Sequence, residues 1–234
     1  MIETIKMYIL LFFIYAVAGW IMESTSVSIQ TKKWVNRGFL IGPICPIYGY
    51  GALMVTIFLS KYQADPIITF CMSVIICGAL EYFTSFAMEK LFNARWWDYS
   101  DRKFNINGRI CLENLVLFGI GCCLVIYGTN PWLIQAIGSI PDQVQTLLIA
   151  ILLALHITDN VISYHIIFNL KQVSNEIKDN TIEISEKVKH IIYNKSTLYR
   201  RLVNAFPDVK EKVDFARWNI KGKLEKMKEE GRKK

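Results

Sequence analysis

The chain has 234 residues, 53% of them hydrophobic and 20% charged, with a formal net charge of +7. Before Leu170, ten Lys and Arg balance ten Asp and Glu, so the whole excess lies in the last 65 residues. This segregation excludes an ordinary soluble domain and points to a membrane body with a basic appendage.

Five apolar runs are long enough to cross about 30 Å of hydrocarbon at 1.5 Å per residue. They cover 5–29, 40–60, 66–89, 110–128 and 145–169. The first contains Ala16-Val17-Ala18, which resembles a signal-cleavage site. However, Lys6 is balanced by Glu3, and cleavage would sever Gly19 to Ile29 from their helix, so a retained span is expected. The second run holds Gly42, Pro43, Pro46, Gly49 and Gly51, so its first turns are expected to be broken or re-entrant. Loops one to four carry three, one, five and no basic residues. By the positive-inside rule this alternation predicts five crossings, with the N-terminus outside and loops one and three and the C-terminus in the cytoplasm. The fold class expected is an all-α polytopic membrane helix bundle over 1–169, followed by a cytoplasmic helical tail over 170–234.

Four acids fall inside these spans: Glu23, Glu81, Glu113 and Asp159. Each ionised side chain deep in a span costs roughly 2.5–3.5 kcal/mol on the insertion scale. On the predicted topology all four share the cytoplasmic half. Arg37, Arg95 and Arg109 at the span ends are placed to reach inward and compensate them. Thr84, Ser85, Asn114, Thr158 and Asn160 accompany them. Two readings stay open: a cytoplasm-facing cavity that takes a polar or cationic substrate or relays protons, and a set of structural ion pairs between helices.

His156 and Asp159 stand at i, i+3 on one helix face and are expected to form a hydrogen-bonded pair. No second His/Asp cluster completes a metal shell, so neither a metal nor another cofactor is expected. The six cysteines all sit in apolar stretches without C-x-x-C spacing and read as buried packing. Trp96, Trp97 and Tyr99 read as interfacial belt residues. Gly38 to Gly42 matches G-x-x-x-G at a span edge, a weak dimerisation signal. In Gly42-Pro43-Ile44-Cys45-Pro46-Ile47-Tyr48-Gly49 the prolines remove backbone donors and the glycines admit close approach. Such irregular backbone within a membrane must be enclosed by protein or line a cavity.

Several segments together resemble one bacterial membrane family. They are Gly19-Trp20-Ile21-Met22-Glu23, Asn36-Arg37-Gly38 continuing to Gly49, Glu81-Tyr82-Phe83-Thr84-Ser85, Arg95-Trp96-Trp97-Asp98-Tyr99, and Asn107-Gly108-Arg109-Ile110-Cys111-Leu112. The family is catalogued as putative ABC-transporter permease, type IV (CmpB-like), and the resemblance runs from about residue 1 to 169. It puts weight on Glu23, Arg37, Glu81, Arg95, Asp98 and Arg109, whereas His156 and Asp159 fall outside its motifs. It implies a permease-like subunit in the bacterial cytoplasmic (inner) membrane, a separate ATP-binding subunit, and a homo- or hetero-oligomer that completes the pathway.

The tail continues with apolar residues at Leu170, Val173, Ile177, Ile184, Val188 and Ile191, which predicts an amphipathic helix running on from span five. A second amphipathic stretch over 198–227, broken at Pro207, carries a Lys- and Arg-rich face suited to anionic lipid or an acidic partner. The alternative function is therefore a scaffold or sensor that recruits partners through this tail. Gly222-Lys223 is followed by Leu224, so no Walker A loop is present, and nucleic-acid motifs are missing. No nucleophile–base spacing suggests an enzyme.

Overall fold

The computed structural model describes residues 2–92, 95 and 97–178. Six α-helices follow in order: α1 (Ile2–Thr31), α2 (Pro46–Leu59), α3 (Pro66–Phe92), α4 (Leu112–Cys123), α5 (Asn130–Gly138) and α6 (Asp142–Lys178). A minimal antiparallel hairpin, β1 (Asn105–Ile106) with β2 (Ile110–Cys111), lies between α3 and α4. A π-helical turn, Leu124–Thr129, joins α4 to α5 without a break. Four rods are long and apolar enough to cross a membrane: Ile2–Thr31, Pro66–Leu91, Leu112–Gly138 and Asp142–His165. The protein is thus a multi-pass helical membrane bundle. Large apolar side chains such as Ile75, Leu117, Leu147 and Leu155 point outward, as lipid contact requires.

The second apolar run behaves differently. Its helix, α2, has 14 residues, about 21 Å, too short to span alone. Beyond α1 the chain turns back and runs along that helix as irregular backbone. The Val35 N–H donates to Ser28 Oγ at 2.9 Å, the Arg37 N–H to Ser24 Oγ at 3.1 Å, and the Cys45 N–H to the Ala16 carbonyl at 2.9 Å. At that depth Pro46 opens α2, where a missing donor costs nothing. From there α2 continues antiparallel to α1, with Gly49 against Phe12. The second pass is therefore half irregular and half helical. Together with the four long rods, this shorter second pass makes up the described bundle.

Two apolar clusters hold the passes together. Leu10, Leu11, Ile137 and Ile149 join α1, α5 and α6, and Val55, Leu59, Cys77, Cys122 and Ile126 join α2, α3 and α4. The Leu112–Gly138 rod runs ten residues beyond the expected 128, and the loop expected over 129–144 shrinks to the turn at 139–141. Its polar composition is satisfied internally instead. The Tyr15 hydroxyl donates to Asn130 Oδ1 at 2.7 Å, and Asn130 Nδ2 donates to Thr56 Oγ1 at 2.8 Å. The first tail helix does continue α6, as far as Lys178. The remaining tail expectations, including the basic amphipathic stretch, lie outside the described residues.

Candidate functional site

The loop between α3 and α4 is built on an Asn-Gly turn. Asn107 and Gly108 have φ of 53° and 67°, and the Arg109 N–H donates to the Ile106 carbonyl at 3.0 Å. Both central residues lie in the left-handed region that such a hairpin turn requires. A Cβ at Gly108 would run into Asp98, Ser100 and Arg95, so glycine also admits the preceding strand of the loop. The Tyr99 N–H donates to the Gly108 carbonyl at 2.8 Å, and Trp97 Nε1 donates to the Arg109 carbonyl at 3.1 Å. Trp97 and Tyr99 are therefore internal clasps of this loop rather than members of an interfacial belt; Trp96 lies outside the described residues. Asp98 accepts from the Ser100 hydroxyl at 2.5 Å and the Ser100 N–H at 2.9 Å. These donors, with Arg95 beside them, hold its carboxyl below the usual carboxylate range.

The clasp brings Tyr99 over α3, where its hydroxyl donates to Glu81 Oε1 at 3.1 Å. Burial, reinforced by the adjacent Glu81 charge, pushes the Tyr99 phenol up, so it remains a hydrogen-bond donor at any ordinary pH. Glu81 is 5% exposed, and its Oε2 is enclosed without a hydrogen-bond partner in good geometry, although Asn114 of α4 also interacts with the carboxyl. Across the bundle, Glu23 of α1 interacts electrostatically with Glu81. Its Oε1 accepts from the Tyr48 hydroxyl at 2.7 Å, and its Oε2 lies 3.6 Å from Arg37 Nε. The two carboxylates thus share one region bounded by two tyrosines, but among the described residues only Glu23 has a cation.

Of the three arginines expected to reach inward to the acids, Arg95 and Arg109 turn to Glu89. Arg109, 9% exposed, pairs with Glu89 at 2.7 Å, stacks over the Tyr82 and Phe86 rings, and donates to Ser85 Oγ at 3.5 Å. Arg95 also reaches Glu89, at 3.2 Å, and Asp98 at 3.5 Å. Glu89 is the shared acid of this group and was not singled out from sequence, because it sits at the charged end of its span. Thr84 is half-buried and makes no hydrogen bond among the described residues.

Asp159 forms a separate site. Its Oδ1 accepts the Ile41 N–H and its Oδ2 the Gly42 N–H, both at 2.8 Å, and Ser163 donates to Oδ1 at 3.1 Å. The carboxylate therefore replaces the helical carbonyls missing from the broken segment. Asp159 does not pair with His156. That ring packs edge-on against Phe12 and Phe13, with Nδ1 buried and unpartnered. Gly42 faces Asp159, and Gly38, at φ 113°, faces Cys45 and Trp20, so both glycines serve contacts within the chain. Pro43 is exposed, and Pro46 opens α2.

Glu113 departs most from expectation. Lying in the first turn of α4, it pairs at 3.1 Å with Arg102, and both side chains are 62% exposed. The helix begins two residues later than the apolar run, which leaves Glu113 at the surface. Glu23, Glu81 and Asp159 do share one half of the bundle, the half containing the α3–α4 loop.

Comparison with curated proteins and with solved structures finds no match. A family profile does match, over residues 10–164, a stretch that holds the broken second pass, the Glu23–Tyr48 and Glu81–Tyr99 contacts and the Asn-Gly clasp. By that match the chain belongs to the family described as putative ABC-transporter type IV.

Proposed function

We propose that this chain is the permease-like membrane subunit of an ABC-type transporter, moving a polar or cationic solute with energy supplied by a separate ATP-binding protein. The observation that carries the reading is Glu81: a carboxyl enclosed in the bundle, beside a second carboxylate and without a cation among the described residues, in a chain of a transporter family. A structural ion pair would be completed by a counter-charge, whereas a group kept for a transported or coupling species is left to receive one. The end of the bundle carrying residues 32–37 and 95–111 is rich in Lys and Arg, which supports placing it in the cytoplasm of a bacterial inner membrane. There the exposed Arg102 and Lys103 stand available to a docking subunit. A homo- or hetero-oligomer would complete the pathway.

Affinity purification from the native membrane in mild detergent tests the reading. The expected result is a co-purifying ATP-binding protein whose hydrolysis rate changes when this chain is present. Recovery without such a partner, or with partners held only through residues beyond 178, would overturn it in favour of a scaffold.

A further inference from the structure

Along α3, Thr69, Ser73, Cys77, Glu81, Ser85 and Glu89 recur at every fourth residue. The first five are buried. A four-residue step on a 3.6-residue helix drifts slowly around the axis, so these side chains form one winding polar seam through an otherwise apolar rod. Most of its members are partnered. The Tyr127 hydroxyl donates to Thr69 Oγ1 at 3.1 Å, the Cys77 and Cys122 thiols lie 3.4 Å apart, and Arg109 covers both Ser85 and Glu89. Among the described residues two atoms in the seam are enclosed without a hydrogen-bond partner in good geometry: Ser73 Oγ and Glu81 Oε2.

An unpaired serine hydroxyl is a modest cost, but an enclosed ionised carboxylate without a counter-charge is a large one. The groups facing it offer no counter-charge among the described residues. From α1 comes Glu23, already held by Arg37; from α2, the Tyr48 hydroxyl, committed to Glu23; from the α3–α4 loop, Tyr99, donating to the other oxygen. Asn114 of α4 offers the carboxyl an amide donor but no charge, and Arg109, one turn away, is committed to Glu89. A metal ion would need a fuller ligand set, and no group of three His, Cys, Asp or Glu suited to one occurs among the described residues. A proton needs only the one free oxygen. Once protonated, the carboxyl loses its charge and gains an O–H donor.

We propose that Glu81 is an intramembrane proton-binding site, taking a proton from hydronium onto Oε2 and returning it to water, with Tyr99 as the positioning donor on Oε1 and Glu23 as the acidic neighbour. If the chain is a permease, the proton is a coupling ion for the same pathway. Only that use, and not the binding, rests on the transport reading.

Infrared difference spectra of the full chain in lipid nanodiscs, recorded between about pH 5 and about pH 9, read the protonated carboxyl directly and need neither solute nor ATP-binding partner. A carbonyl-stretch band that titrates in this range is expected in the wild type and in Glu113→Gln, and its loss in Glu81→Gln. Where Glu81→Gln fails to fold, Tyr99→Phe decides. It removes a donor to the ionised form, so the proton affinity should rise about tenfold. A wild type without a titrating band, a band retained in Glu81→Gln, or a midpoint unmoved in Tyr99→Phe would overturn the assignment. Absence of an ATP-binding partner would overturn the transport reading and leave these spectra unchanged.

Discussion

Asp159 Oδ2 accepts the backbone N–H of Gly42 at 2.8 Å, so a side chain of the last helix caps a break in the second pass, 117 residues earlier. The same carboxylate takes the Ile41 N–H on its other oxygen. Without it, the Gly42 N–H would lose its acceptor and the Ile41 N–H would keep only Ser163 Oγ, at 3.2 Å.

Replacing Asp159 by alanine should therefore lower stability by about 3–5 kcal/mol, since each hydrogen bond to a charged acceptor contributes about 1.5–3 kcal/mol. Asp159→Asn retains one acceptor and should lose about half as much. Thermal unfolding in detergent, followed by exposure of buried cysteines, provides the comparison. Equal stability of all three proteins would show that the break is satisfied by other means.

Close approach of α1 and α2 depends on two glycines. A Cβ at Gly19 would enter the Tyr48 ring, and one at Gly49 would meet the Phe12 side chain and carbonyl. Gly19→Ala and Gly49→Ala should each cost about 1–3 kcal/mol through overpacking. Gly121 and Gly138 have open space around the same position, so alanine there should be neutral or slightly stabilising. The four melting temperatures separate local packing from a general intolerance of the fold.

The ion pairs of the α3–α4 loop should differ sharply in worth. Arg109→Met leaves Glu89 without its shortest partner and should destabilise by about 2–3 kcal/mol, less than for a fully buried pair because Glu89 is a third exposed. Adding Glu89→Met should restore much of that loss. The exposed Arg102–Glu113 pair should contribute within about 1 kcal/mol of zero. A double-mutant cycle on each pair measures the difference.

Asp98 links the loop to acid pH. Its carboxyl is depressed in the folded loop by the Ser100 donors and by Arg95, so the stabilisation is fully present above the unfolded value of about 3.9 and is lost as pH falls through the lower folded value. Amide exchange across 97–109 should be insensitive to this group near neutral pH and should accelerate, beyond the intrinsic trend, only at strongly acid pH. Asp98→Asn should remove the excess acid dependence; if it persists, another group carries it.

Much of the architecture was legible in the chain order of apolar runs, because a membrane span must be long, apolar and internally hydrogen-bonded. The Gly- and Pro-rich start of the second run marked the broken pass, and the cost of buried charge marked Glu23, Glu81 and Asp159. The Asn107-Gly108 turn and the four-residue step on α3 were also written in the sequence. A turn pair and a row of small polar residues gain meaning only from what lies against them. The fourth run reads as ending at 128 because Thr129, Asn130 and Pro131 have the composition of a loop. Their polar groups are in fact absorbed by Tyr15 and Thr56 on other helices.

The net charge of +7 and its confinement beyond Asn169 follow from the sequence alone, as does the all-α membrane body, because periodicity and transfer cost are properties of each segment by itself. Which acid meets which partner was decided only by the packed bundle. Glu89 rather than Glu81 takes Arg109, Tyr99 rather than an arginine reaches Glu81, and Glu113 faces outward. The reason is that pairing depends on distances across helices, and rotation of a single helix by one residue, about 100°, exchanges an interior group for a surface one.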